Sequence, residues 1–317
     1  TPTPSSAASD VYKRQGVVPI AHANDGAGSI RIPASCCGLV GLKASRGRIK
    51  DKEVPGYLPA NILHDGVVTR SVRDTWAFHA EIEKNIPATE FPPIGDISES
   101  FPKNLKIAVL TENCLGENSS AELVQATHDV ARLCESLGHE VEMISNPFYK
   151  KFDEDFWLLW AHFGFLIRYS VGKELSSKFD HTQLEQWPKY LISRHWRNIH
   201  KVPVAFWRLR RFVSQYETFM QNFDILLTPT LGTTVPKLGF FGPEVSGQEH
   251  WERINDFLPF TKYQNISGAP AITLPCGTDL KGLPIGIQLS SRLGEDRLLL
   301  KLSLQLEQNS NWKSLNK

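Results

Sequence analysis

The hydrophobic and polar positions of this chain fall into short blocks whose period keeps switching between two and three to four. GVVPIAHA (16–23) reads as a short apolar strand running into a glycine-rich turn. Residues 29–36 open a helix or an irregular turn, and GLVGLKAS (38–45) reads as a buried extended segment. SVRDTWAFHAEIEK (71–84) carries Val72, Trp76, Phe78 and Ile82 on a helical stripe behind a serine N-cap. The Pro-rich, polar stretch 84–104 is a surface loop. LKIAVL (105–110), a helix over 119–138 and HEVEMI (139–144) form a strand–helix–strand unit, which predicts a parallel pair. Residues 149–220 are helix-rich and aromatic, and FDILLTPT (223–230) is a further strand. A helix near 260–267 precedes a hairpin made of PAITLPCG (270–277) and LPIGIQLSS (283–291), turning at 279–282. EDRLLLKLSLQLEQ (295–308) closes as a helix. With no internal repeat, one α/β domain is the simplest account.

Composition narrows the function. The 317 residues are 41% hydrophobic and 22% charged, enough for a full core. A formal net charge of +1 offers no field for nucleic acid or an anionic membrane. RHWRNIHKVPVAFWRLRR (194–211) is basic, but its interleaved Trp and Phe read as one amphipathic helix. No apolar run reaches the roughly 18 residues of a membrane span. The five cysteines form no paired framework, so they are expected to be reduced thiols in a cytoplasmic protein. Adjacent Cys36 and Cys37 lack metal-site spacing, and neither a metal nor a cofactor is expected. TPTPSSAASDVYKRQ (1–15) has no signal-peptide core and matches the translated end of a transposon-based sequencing adapter. It is expected to be a non-native scar, with native sequence beginning near Gly16 and 16–317 forming a partial domain.

The chemistry concentrates in NDGAGSIRIPASCCGLVGLK (24–43), where Gly26, Ala27 and Gly28 crowd against Ser29. One reading is a bare turn in which glycine supplies positive φ and Ser29 caps the next helix. A phosphate cradle fits poorly, since the third glycine of a dinucleotide fingerprint and the lysine of a P-loop are both missing. The third reading is a serine nucleophile beside an oxyanion hole, where small residues let backbone N–H groups approach a carbonyl oxygen. His22 is a tempting base, but the Gly-x-Ser-x-Gly elbow is absent. Asp25 and Arg31 bracket the turn and are expected to shape it through a partly buried ion pair.

DGAGSIRIPASCCGLVGLKASRGRI resembles the core of the amidase signature family of serine hydrolases: a glycine-rich run, Ser, Ile-Arg, Pro, Cys-Gly-x-x-Gly-Leu-Lys and Arg-Gly-Arg. DGVVTRSVRDTWAF (65–78), FDILLTPT, FTKYQNISGAPAITLP (260–275) and GLPIGIQL (282–289) resemble the family's later segments. The stretch 145–220 matches loosely, where the family varies and substrate pockets are lined. Within the family, HANDGAGSIRIPASCCGLVGLKASRGR (22–48) looks most like the branch of 6-aminohexanoate cyclic-dimer hydrolases.

The resemblance implies an α/β amidase-signature fold: a mixed β-sheet core with helices on both faces, here without its N-terminal part. It implies hydrolysis of C–N bonds in linear or cyclic carboxamides, with Ser29 as nucleophile and Gly26, Ala27, Gly28 and Ser29 as backbone oxyanion donors. The family uses a Ser–Ser–Lys triad and no histidine, which argues against His22. The bridging serine falls about two dozen residues upstream, at Ser5, without its usual glycines and inside the suspected scar. Lys13 and Lys43 are in the wrong place for the triad lysine. This chain is therefore expected to be nearly inactive and, with apolar surface laid open, poorly soluble. Trp157, Trp160, Trp196 and Trp207, with Phe156, Phe163 and Phe206, are candidate pocket-lining residues or plain core. The partner expected is a small amide, with no nucleic acid or membrane, and a homodimer is allowed for. Alternatives are the A subunit of a tRNA-dependent amidotransferase, disfavoured by Ile32 and the lack of a basic surface, or a non-catalytic α/β remnant.

Overall fold

The computed structural model describes residues 17–49, 58–86, 90–98, 100–171 and 178–310, and no side chain at 170 or 171. The suspected scar and Ser5 therefore lie outside the described residues. The strands are β1 (Ala21–Asp25), β2 (Val40–Lys43), β3 (His64–Thr69), β4 (Lys106–Val109), β5 (Glu140–Met143), β6 (Ile225–Pro229), β7 (Ala271–Thr278) and β8 (Pro284–Ser290). Among the described residues they form one mixed eight-stranded sheet in the order β1-β3-β2-β7-β8-β6-β4-β5. The expected parallel pair is present, β4 beside β5, and β4 also runs parallel to β6. The expected hairpin is β7 with β8, turning where Asp279 Oδ1 accepts the N–H groups of Lys281 and Leu283 and Gly282 sits at φ 77°.

Boundaries moved in a few places. The first strand begins at Ala21, later than expected. The strand β3 was not anticipated, because HDGVVT opens the run that becomes the next helix. That helix, α2 (Val72–Asn85), is capped as expected, Ser71 Oγ accepting from Asp74 N–H. The basic stretch 194–211 is not one helix. It divides into α5 (Gln186–Asn198) and α6 (Val202–Met220), because Pro203 belongs in a first helical turn, where its missing N–H costs nothing.

The two sides of the sheet differ. On β8, Ile285, Ile287 and Leu289 join the main apolar core, while Gln288 and Ser290, on the alternate positions, are equally buried. Opposite them stand Thr273 on β7 and Thr228 on β6, also buried, so the second side is a dry polar surface. The short helix α1 (Arg31–Cys37) packs onto this side against β2, β7 and β8. Its approach is close. A Cβ on Gly41 would lie 2.8 Å from the Ala34 methyl, and one on Gly286 2.3 Å from Ser35 Oγ. The glycines of GLVGLK and LPIGIQL therefore let α1 sit on the strands, which fixes the loop that precedes it.

The main core is closed by α2, α3 (Ala121–Ser136) and α9 (Asp296–Asn309), and the aromatic middle contributes α4 (Phe152–Leu166) and α6. Phe148, Phe152, Phe212 and Tyr263 meet there at ring-centroid distances of 4.4–5.8 Å. The buried Asp155 on α4 holds Arg208 on α6 by two 2.6 Å hydrogen bonds. None of the five cysteines forms a disulfide with another described residue. Among the described residues, no helix is long and apolar enough to cross a membrane, and no cluster of His, Cys, Asp or Glu could hold a metal ion.

Candidate active site

The loop between β1 and α1 is wound around Asp25. Its Oδ1 accepts from Gly28 N–H at 2.7 Å and its Oδ2 from Ile30 N–H at 3.3 Å. Arg31 meets the same carboxylate twice, Nε to Oδ2 and Nη2 to Oδ1, both at 2.9 Å. The ion pair expected to be partly buried is wholly buried. Burial alone would raise the Asp25 carboxyl; the Arg31 guanidinium, Asn265 and Lys43 outweigh it and hold the group well below the usual carboxylate range. Two charges taken out of water need every other hydrogen bond satisfied. Arg31 accordingly donates to Gln264 and Gln288 through Nη1 and to Asn265 through Nη2. Asn265 in turn donates to the Asp25 carbonyl and carboxylate. Gln264 and Asn265 come from α8 (Lys262–Ser267), whose residues are all buried, and Gln288 from the polar side of β8.

This bed sets each small residue of the loop. Gly28 has φ 119°, and a Cβ there would meet Ile32 Cδ1 at 2.5 Å and Thr261 Oγ1 at 2.6 Å. Ala27 lends its methyl to the main core, and its carbonyl accepts from Thr261 Oγ1 at 2.6 Å. A Cβ on Gly26 would press on Trp160 Cη2 at 3.0 Å and Leu63 Cδ2 at 3.1 Å. Gly28 and Ile30 spend their N–H groups on Asp25; those of Gly26, Ala27 and Ser29 find no acceptor among the described residues. Gly28, expected among the oxyanion donors, thus gives its N–H to loop shape. Ser29 is exposed at the end of this arch, and no described side chain hydrogen-bonds its hydroxyl.

Ser29 opens onto a cavity of about 320 Å³ lined by Asn24, Gly26, Leu63, His64, Asp65 and Trp160. Of the four tryptophans expected to line a pocket, only Trp160 reaches it. Trp157 is core, its indole N–H donating to Asn255 Oδ1 at 2.7 Å. Trp196 and Trp207 are 50% and 57% exposed, away from this cavity. The two rings lie one turn apart on the same face of α4, and position along the helix separates them: Trp157 packs with Trp187 on α5 and Trp251 on α7 (Gly247–Phe257), while Trp160 lies against Gly26. His22 is an exposed β1 residue whose Nε2 lies 3.2 Å from Asp65 Oδ1, and it does not touch Ser29. Lys43 is buried on β2, donating to the Ala44 carbonyl, and it does not line the cavity. Burial and the like charge of Arg31 pull it down to about 7, against the opposing attraction of Asp25.

Sequence reasoning missed Leu63, His64 and Asp65: the first two precede the segment DGVVTRSVRDTWAF, and Asp65, which opens it, was not singled out. Their signal lay in pairing: β3 runs antiparallel to β1, setting His64 opposite Asp25 and Asp65 opposite Asn24.

Comparison with known proteins bears on the family and the fold. The model of the Amidase family matches residues 15–300. The chain belongs to the amidase signature family. It is 40% identical over 309 residues, 97% of its length, to "Putative amidase AmiC" of Mycobacterium tuberculosis, and spans 65% of that protein. It is 30% identical over 337 residues to the 6-aminohexanoate-cyclic-dimer hydrolase of Paenarthrobacter ureafaciens, of which it spans 66%. A solved structure of a 6-aminohexanoate cyclic dimer hydrolase complexed with substrate superposes with a TM-score of 0.83 at 28% identity, covering 99% of this chain and 70% of that one. The amidase fold also superposes on a bacterial aryl acylamidase at a TM-score of 0.79 and 22% identity. The chain thus spans slightly under two thirds of the length of the curated relatives it matches.

Proposed function

We propose that Ser29 is the acyl-accepting nucleophile of a carboxamide hydrolase. The observation that carries this is the cleared arch: an exposed serine hydroxyl beside the open N–H groups of Gly26, Ala27 and Ser29, on a bed that leaves the loop no freedom. The Ser29 oxygen would attack the amide carbonyl carbon, and the carbonyl oxygen would gain charge facing those amides. Collapse expels the amine once its nitrogen is protonated, leaving an acyl-serine for water to cleave. Family membership supports linear and cyclic amides as the substrate class. A Ser–Ser–Lys triad remains the family's route for moving the proton.

Among the described residues no base reaches Ser29, so amide turnover by this 317-residue chain is expected near background. An activated ester needs less help, since its phenolate leaves without protonation. With p-nitrophenyl hexanoate, wild type should give a stoichiometric p-nitrophenolate burst that Ser29→Ala lacks, while hexanoyl p-nitroanilide is hardly cleaved. A burst that survives in Ser29→Ala would refute the nucleophile assignment. Ser29-dependent cleavage of the anilide would refute the expected inactivity.

A further inference from the structure

The cavity beside Ser29 carries a carboxylate that the acyl-transfer chemistry does not use. Asp65 sits on β3 directly opposite Asn24 of β1, and both line the cavity with Ser29. Its side chain is 30% exposed. Two donors, His22 Nε2 and Asn24 Nδ2, both approach Oδ1 at 3.2 Å. Oδ2 receives no hydrogen bond from any described residue. The two donors fix the carboxylate plane from the sheet edge and leave one oxygen open. The rest of the lining is Leu63, Trp160, the buried His64 and residues of the loop, and no described lysine or arginine belongs to it. An anionic group entering this space would meet the Asp65 charge with no lysine or arginine in the lining to offset it, whereas a cation would meet a fixed acceptor beside Leu63 and Trp160.

We propose that Asp65 is a specificity-determining residue, its open oxygen accepting from an ammonium group carried by the substrate, so that the site favours amino-substituted carboxamides over neutral or acidic ones. This rests on the reading of the Ser29 cavity as the amide site. Selectivity of this kind arises because the same carboxylate attracts the cationic member of a matched pair and has no partner in the neutral one.

Binding is the direct test, since it does not depend on turnover. The probes are matched pairs, 4-aminobutanamide with butanamide and 6-aminohexanamide with hexanamide, titrated against the full chain by NMR. Wild type should bind the amino member of at least one pair about tenfold tighter. In Asp65→Asn, which keeps an acceptor for His22 and Asn24, that ratio should collapse toward one. Raising salt to about 1 M should shrink the ratio in the wild type, independently of how well the variant folds. Equal affinities in wild type, a ratio that persists in Asp65→Asn, or no binding by either member would each overturn the proposal. If Asp65 only braced the edge of the sheet, Asp65→Asn would lower the melting temperature and leave the ratio alone. The outcomes separate from those of the amide reading: loss of the ratio with Ser29 still acylated by the ester removes Asp65 only, whereas a failure of Ser29 acylation removes the reading itself.

Discussion

The loop at 25–31 and the helices α4 and α6 are both packed into the interior, yet they are held by opposite means. Around Ser29 nearly every fixing contact is polar and directional: one guanidinium makes five hydrogen bonds, to Asp25, Gln264, Asn265 and Gln288. Along α4 and α6 the contacts are mostly rings stacked or tilted on rings, with Asp155–Arg208 as a clamp. A polar network specifies one geometry, because a misplaced donor leaves a buried group unsatisfied. An aromatic cluster tolerates sliding and resizing, because dispersion has little direction. The rigid kind lies beneath Ser29, and the forgiving kind reaches the cavity through Trp160. Trp160 is where the two meet, stacked on Phe156 on one side and covering Gly26 on the other.

The contrast can be broken at its strongest point first. Arg31→Met strands a buried carboxylate and several amides, and should cost about 3–5 kcal/mol in chemical denaturation if the chain still folds. A loss near 1 kcal/mol would mean the bed is not what holds the loop. Gly28→Ala places a methyl against Ile32 and Thr261 at positive φ and should cost about 2–4 kcal/mol. Its ester burst should fall with it, since the arch must shift.

Lys43 sharpens the comparison through pH. Its folded value, about 7, lies below the ordinary 10.5, so between these pH values the unfolded chain holds a proton that the folded chain has released. Stability should therefore rise with pH across that window, by up to about 1.4 kcal/mol per unit from this group. Lys43→Met should remove that contribution, seen as a flatter profile in denaturant midpoints against pH. Identical profiles would contradict it. The smallest effect belongs to the exposed rings: Trp196→Ser and Trp207→Ser should each stay within about 0.5 kcal/mol of wild type in the same assay.

How much of this could be read in advance depended on whether the determining contact was local. The strand–helix–strand unit at 105–144 and the terminal hairpin were legible, because period and turn chemistry are set within a few residues. The crowding of small residues against Ser29 was legible for the same reason. The burial of the ion pair was not, since what surrounds it comes from α8 and β8, more than 200 residues away in sequence. IGIQLS alternates like a strand with one wet side, and only the packing of α1 makes its polar positions dry. The tryptophans misled for a similar reason. Aromatic content marks a packed region, but which ring reaches the cavity depends on its position along the helix and on where Pro203 breaks the run at 194–211.

The most direct measurement is peptide-resolved mass spectrometry after brief exposure to p-nitrophenyl hexanoate, performed on the native chain and on the same chain in concentrated urea. The folded arch is what should make this one serine reactive. A hexanoyl adduct is expected on the peptide carrying Ser29 in the native sample, absent from Ser29→Ala and absent after unfolding. Equal labelling of Ser29 in both states, or native labelling spread over other serines with Ser29 untouched, would contradict it.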